Sequence, residues 1–319
     1  MELEQVSALV HGLRGEVTKV IVGQDAVIDE ALVALLSGGH VLLEGPPGTA
    51  KTLLVRTLAL AVQGQFRRLQ FTPDVMPADI IGVNVYRSEA GQFEFRPGPL
   101  FTDLLLGDEI NRAPAKTQSA LLEAMQEREV SVDGETRRLS PVFTAFATQN
   151  PIEYEGTYPL PEAQLDRFMF KTVVGYPAEA AEEEILNRCQ RGFDATRVDS
   201  FGVNVVTTVR DLQEARAAVR GLQVSAPVIH YITAIVRATR SLPTLVLGAS
   251  PRAAVMLLQA GRALALLRGR DFVTPDDVRD LAAPALRHRI VLNPEAEIEG
   301  TTADRCVQDV LARVEVPRL

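Results

Sequence analysis

The sequence predicts a parallel α/β domain followed by an all-helical one, and three observations carry that fold class. Val41-Leu42-Leu43 is a short apolar run that enters the turn Gly45-Pro46-Pro47-Gly48-Thr49-Ala50-Lys51-Thr52, and Leu53 to Val62 then continues without Pro or Gly as far as Gly64. Buried strand, glycine-rich turn and helix therefore follow one another. Leu104-Leu105-Leu106-Gly107 is a second apolar strand that delivers Asp108 and Glu109 at the end where parallel sheets place their ligand crevice. Beyond Gly175-Tyr176-Pro177 the strand signals stop and helical ones take over. That boundary divides the chain into 1–175 and 176–319.

The first landmark has the chemistry of a phosphate-binding loop. Its backbone N–H groups and the helix N-terminus face an anion. Lys51 would reach the β- and γ-phosphates of ATP, and the Thr52 hydroxyl would ligate Mg²⁺. Gly45, Pro46, Pro47, Gly48, Thr49, Ala50 and Leu53 are the other candidate contacts. The pattern asks for Gly before the Lys, where this chain has Ala50. An Ala fits there only if its φ stays negative, because a Cβ is penalised in the left-handed region. At the second landmark, Asp108 would hold Mg²⁺ through its waters. Glu109 would orient or deprotonate the attacking water. An Asp-Glu pair after a strand is by itself an ordinary solvated turn; the loop upstream gives it a catalytic reading.

The remaining elements can be taken in order. Apolar residues at Leu3, Val6, Leu9, Val10, Leu13, Val17, Val20 and Ile21 have helical spacing. Ile21-Val22-Gly23-Gln24-Asp25 separates that helix from a second one, Ala26 to Leu36; its Gly lets backbone approach a flat ligand. Phe66 to Phe71 reads as a strand. Val83 and Val85, with Phe93 and Phe95, alternate around Ser88-Glu89-Ala90-Gly91, which predicts a hairpin insert over 82–100. Gln118 to Gln126 is a helix, and Asp133-Gly134 turns a second hairpin over 129–139. Val142 to Thr148 is a strand ending in Gln149-Asn150-Pro151. Asn150 could bond the γ-phosphate or the attacking water, or simply cap a turn before Pro. A short helix ends in Leu165-Asp166-Arg167-Phe168, and Phe168 to Val174 is the last strand. Helices are expected over 178–189, 211–221, 226–240, 250–267 and 275–281, the last opened by Thr274-Pro275-Asp276-Asp277.

Composition narrows the class. The chain has 319 residues, 46% hydrophobic and 23% charged, the profile of a soluble globular protein. A net charge of −8 argues against a bulk field that grips nucleic acid. No signal peptide and no membrane-spanning run are expected. Cys189 and Cys306 are isolated, which fits a reducing cytoplasm. The four His are scattered, so no zinc is expected.

The loop Gly45 to Thr52, Gly107-Asp108-Glu109-Ile110-Asn111-Arg112-Ala113, Leu121 to Glu127, Phe146 to Pro151, Gln164 to Phe168 and Ser250-Pro251-Arg252 together resemble MoxR-type AAA+ ATPases over almost the whole chain. Ala before the loop Lys also occurs in that family. The resemblance implies an AAA+ core with a parallel sheet flanked by helices and an all-α lid. It makes the two hairpins the helix-two and pre-sensor-one inserts. It implies that Val22 and Gly23 line the adenine pocket and that Asp108 and Glu109 are the Walker B pair. Asn150 takes the sensor-one position and Arg252 the sensor-two position, its guanidinium aimed back at the crevice from the start of a helix. Arg167 matches the residue offered to a neighbouring subunit's γ-phosphate, with Arg112 as a rival. The family's habits further imply a homo-oligomeric ring, a hexamer, that remodels protein clients, some with a von Willebrand factor A domain. A nucleic-acid motor and a non-catalytic nucleotide switch are the competing readings. Arg137 and Arg138 speak for the motor, and the acidic tip Asp133-Gly134-Glu135 speaks against it.

Overall fold

Five short strands form the centre of the molecule, and their order follows from which runs are apolar on both faces. The computed structural model describes residues 1–89, 91–150, 157–197 and 202–318; Ala90 of the first hairpin tip and Pro151 lie outside them. The first half comprises α1 (Leu3–Thr18), α2 (Asp25–Ser37), β1 (Val41–Glu44), α3 (Lys51–Ala61), β2 (Phe66–Gln70), α4 (Pro77–Ile81), β3 (Gly82–Arg87), β4 (Gln92–Pro97) and β5 (Leu104–Asp108). After a short helical turn at Ile110–Arg112 come α5 (Ala115–Glu127), β6 (Glu129–Val132), β7 (Glu135–Arg138), β8 (Thr144–Gln149), α6 (Glu162–Leu165) and β9 (Phe170–Val173). The sheet runs β2-β5-β8-β1-β9 and is parallel throughout. β1, β5 and β8 are buried along nearly their whole length and hold the middle, as strands covered on both faces must. β2 is mostly exposed and forms one edge.

The two faces of the sheet have separate cores. On one, Leu42, Phe71, Leu105, Phe143, Ala145 and Ala147 pack with Ile80 and with Leu121, Leu122 and Met125 of α5. On the other, α1 turns Val6, Val10, Leu13 and Val17 inward and α2 is buried on most of its residues. That second core continues into the helices of the later half: α7 (Glu179–Gln190), α8 (Val209–Gly221), α9 (Ala226–Thr239), α10 (Pro251–Leu267) and α11 (Pro275–Leu286). Val219, Ile235, Leu257, Leu264 and Leu281 share one cluster with Leu13, Leu32 and Leu35. Among the described residues no single helix is long and apolar enough to cross a membrane.

Several local expectations are corrected. The helix expected to stop near Leu281 runs through Pro284 to Leu286. Pro284 lacks the N–H for one helical bond, but burial of Leu281, Ala282, Ala285 and Leu286 carries the helix past it. A two-stranded ribbon of β10 (Leu245–Leu247) and β11 (Val291–Leu292), then α12 (Pro294–Ile298) and α13 (Ala303–Arg313), complete the helical half without having been anticipated.

The first hairpin does not have one apolar face. Val83 stands opposite Arg96 and Val85 opposite Glu94, whereas Tyr86 stands opposite Phe93 and Asn84 opposite Phe95. The valines and the aromatic rings therefore lie on opposite faces. The two hairpins also lean on each other. The Asn84 amide donates to Asp133 Oδ2 at 2.7 Å, and the Arg137 guanidinium lies 4.0 Å above the Phe95 ring.

One buried carboxyl gives the fold a pH dependence. Glu30 of α2 accepts from the Thr172 hydroxyl on β9. Burial pushes its carboxyl up to about 7, against that hydrogen bond and the nearby Arg287 charge. The unfolded chain ionises at the ordinary 4.5, so folding favours the protonated form. The resulting stability is complete below that value and is lost as pH rises toward 7. Glu30→Gln should therefore gain roughly 2–3 kcal/mol over wild type between pH 5 and pH 8, read as urea midpoints at the two pH values. An equal difference at both would contradict this.

Candidate nucleotide site

The loop begins where β1 meets β9. A Cβ at Gly45 would lie 2.1 Å from the Val174 carbonyl oxygen, so no other residue fits without moving the strand. Gly48 sits at φ +81°, a conformation glycine adopts without strain. Ala50 overturns the expectation of a negative φ: it sits at φ +62°, ψ +19°, as the N-cap of α3. The loop's N–H groups converge on an anion only if the backbone passes through left-handed positions, and that geometry outweighs the Cβ penalty. The Lys51 ammonium folds back, donating to the carbonyls of Gly45 at 2.6 Å and Pro46 at 2.9 Å. Burial pulls its pKa below the usual lysine range, and the Asp108 charge opposes that shift.

Opposite Lys51, the end of β5 presents the two carboxylates. Asp108 accepts from the Arg68 guanidinium at 2.6 Å and, through its other oxygen, from the Thr148 hydroxyl at 3.2 Å. The same hydroxyl accepts the Glu109 N–H at 2.9 Å, so Thr148 ties both acids to β8. Glu109 turns the chain at φ +58° and pairs with Arg112 at 3.1 Å. Reading the sequence picked out neither Thr148 nor Arg68 as a functional residue. The alternation of an edge strand was the available signal for Arg68, since Arg68 and Gln70 both line the cavity.

These residues surround a cavity of about 590 Å³, ample for a nucleotide. Gly45, Pro47 to Leu53, Asp108, Glu109 and Asn150 line its phosphate end, with Arg56, Arg68, Thr148 and Gln149. Its apolar end is lined by Val20, Ile21 and Val22, and by Ile185, Cys189 and Phe193 on and after α7. Gly23, at φ +71°, would drive a Cβ to 2.5 Å from the Ala181 methyl, so its bareness lets α7 close over this end. Neither Arg167 nor Arg252 lines the cavity. The expectation that Arg252 aims back at the crevice is corrected: it donates to Gln126 at 3.5 Å and lies 3.9 Å from Asp166, because Ser250 at the start of α10 is itself bonded to Asp166.

The donor set fits Mg²⁺. Thr52 and Asp108 are hard oxygen donors on one cavity. Among the described residues no group of three or more His, Cys, Asp and Glu could hold an ion alone. A metal that keeps its waters and shares phosphate oxygens needs no more. When bound, it would offset charge on the phosphates.

This strand, loop and carboxylate arrangement is that of a phosphate-loop ATPase module. Residues 40–170 match the ATPase family associated with various cellular activities (AAA), and residues 237–310 match the AAA lid domain. The chain is 45% identical to Chaperone MoxR1 of Mycobacterium tuberculosis, over 99% of this chain and 85% of that one. It is 33% identical to Protein MoxR of Methylorubrum extorquens, over 89% and 88%. A solved structure from Cytophaga hutchinsonii, named only provisionally as an ATPase, superposes with a TM-score of 0.90 at 40% identity, covering 98% of this chain and 96% of that one. The chain belongs to the MoxR family of AAA ATPases.

The left-handed Ala50 is directly testable. Ala50→Gly removes a penalty of roughly 1–2 kcal/mol and adds back roughly 0.5–1 kcal/mol of chain entropy in the unfolded state. The nucleotide-free variant should be more stable by up to about 1 kcal/mol in urea, with an unchanged m-value. A loss of stability would mean that the loop relaxes to negative φ.

Proposed function

We propose that the chain hydrolyses ATP in a homo-oligomeric ring whose active sites are completed across subunit boundaries. The observation that carries this reading is the contrast between two arginines. Arg112 is held by Glu109 of its own chain, while the Arg167 side chain has no partner among the described residues and lies off its own cavity. An arginine held off its own cavity and unpaired is suited to stabilise the transferring phosphoryl group of a neighbour. Lys51 and the loop backbone hold the phosphates, Thr52 and Asp108 hold Mg²⁺, and Glu109 takes the proton of the attacking water. Asn150 orients that water, and Arg167 arrives from the next subunit. The ring is a cytoplasmic hexamer that remodels a protein client, a von Willebrand factor A domain protein being the first candidate. The joined hairpins are its working surface. Val83, Val85, Tyr86 and Phe93 are all exposed there, and Arg137 is already engaged by Phe95 and Glu135, which favours a protein over a nucleic acid.

Glu109→Gln should bind a fluorescent ATP analogue as wild type does, while turnover falls roughly 10²- to 10⁴-fold; wild-type turnover would remove Glu109 from the mechanism. Arg167→Ala should bind ATP and not hydrolyse it. Mixed with Lys51→Ala, it should regain activity once subunits exchange, because some interfaces then pair an intact loop with an intact arginine. A mixture as inactive as its parts would rule out a shared site.

A further inference from the structure

The segment that carries Arg167 packs Phe168 into the sheet core and bonds the Met169 N–H to the His40 carbonyl, and the helical half grips it through side chains. Asp166, the residue before it, gathers three side chains onto one carboxylate. Its Oδ1 accepts from Arg289 Nε at 2.7 Å, and its Oδ2 accepts from the Ser250 hydroxyl at 3.0 Å. Arg252 Nη1 lies 3.9 Å from Oδ2. Ser250 and Arg252 stand at the start of α10, and Arg289 follows α11. Arg289 also donates to the backbone carbonyls of Asp166, Phe168 and Met169. His288 donates to the Phe168 carbonyl at 3.0 Å and Arg287 to that of Lys171 at 3.0 Å. Three consecutive residues after α11 thus grip the backbone on which Arg167 is mounted.

Charge makes Asp166 the centre of this contact. The Arg289 side chain is 1% exposed, and Asp166 is its sole carboxylate among the described residues. A buried guanidinium needs that partner, so Asp166 is held in one place. Arg167, next in the chain, has no side-chain partner of its own to fix its direction. Its direction is set by the backbone, which Asp166 joins to Arg289 and to the start of α10.

We propose that Asp166 is a positioning residue for the arginine that crosses to the neighbouring subunit, and that through it the placement of α10 and α11 sets where Arg167 points. This rests on the reading of Arg167 given above. The contact adds nothing to binding in its own subunit, since neither Asp166 nor Arg289 lines the cavity. Loss of the contact should therefore appear in turnover alone, and in the neighbour's site.

Asp166→Asn keeps the shape and the accepting oxygen and removes the charge. ATP affinity, read with a fluorescent analogue, should match wild type, while kcat falls roughly 10- to 100-fold, the scale of a misplaced group. Mixed with Lys51→Ala after subunit exchange, Asp166→Asn should regain activity, because the neighbour supplies a correctly aimed Arg167. Mixed with Arg167→Ala it should stay inactive. Asp166→Glu, which restores the charge, should recover part of the lost turnover. Wild-type turnover by Asp166→Asn alongside an inactive Arg167→Ala overturns the positioning role and leaves the shared site standing. Loss of ATP affinity, or no rescue by Lys51→Ala when Arg167→Ala is rescued, means that Asp166 serves its own subunit's structure and also overturns it. Full turnover by Arg167→Ala removes the underlying reading itself. Should Asp166→Asn fail to fold, Ser250→Ala, which removes one hydrogen bond, puts the same question with a smaller fall of about two- to fivefold; unchanged turnover there is the overturning result.

Discussion

The contact on which the site depends is the one between β1 and β9. Two glycines flank β1 because β9 lies too close for any side chain. A Cβ at Gly39 would come within 2.6 Å of Met169 Sδ, and one at Gly45 within 2.1 Å of the Val174 carbonyl oxygen. Between them the strands pair in register from Val41 with Phe170 to Glu44 with Val173. The Val174 N–H extends the pairing to the Glu44 carbonyl at 2.7 Å. Four paired residues span only about 13 Å. The phosphate loop therefore leaves one end of this unit while Asp166 and Arg167 enter at the other. Hydrogen-bonded strands this short do not flex independently, so β1 and β9 form one rigid unit between the phosphate loop and the segment that the helical half holds.

Around that unit, Lys51 and the two carboxylates each have a provisional partner. Lys51 donates to its own loop's carbonyls, Asp108 accepts from Arg68, and Glu109 pairs with Arg112. The Arg68 and Arg112 side chains are half exposed, at 55% and 42%, and ion pairs in that setting contribute only about 0–1 kcal/mol. They hold the carboxylates in place yet are cheaply exchanged when phosphate and metal enter. Thr148 differs: its two hydrogen bonds are to neighbouring positions of the sheet, and it keeps Asp108 and Glu109 aligned whatever the charges do.

What the sequence made legible was local. The loop, the acids at the end of β5, the Asp133-Gly134 turn and the Thr274 cap each depend on a few adjacent residues, whose side chains or φ preferences state the outcome. What stayed hidden depends on sheet order. Thr148 meets Asp108 because β8 lies beside β5, although forty positions separate the two residues. Arg68 reaches Asp108 because β2 is the edge strand next to β5. Arg252 was misdirected because nothing near it in sequence mentions Asp166, and Pro284 hid the end of α11 because the burial that carries it comes from other helices. Ala50 is the instructive error. The intrinsic preference of the residue was read correctly, but the loop's need to converge its N–H groups is stronger.

One mechanical property follows from the way α5 is mounted. It starts just after the turn that holds Glu109 and Arg112, and it ends at Arg128, where β6 begins. Arg128 is pinned: it sits at φ +57°, and its guanidinium donates to the carbonyls of Gly38 at 2.6 Å and Pro141 at 3.2 Å. A helix of this length is a rod of about 20 Å with a fulcrum at its far end. Beyond the fulcrum the rod continues as the second hairpin, and Asn84 and Phe95 tie the first hairpin to it. The second hairpin is thus joined through α5 to the turn that holds Glu109, and the first hairpin is joined through the second.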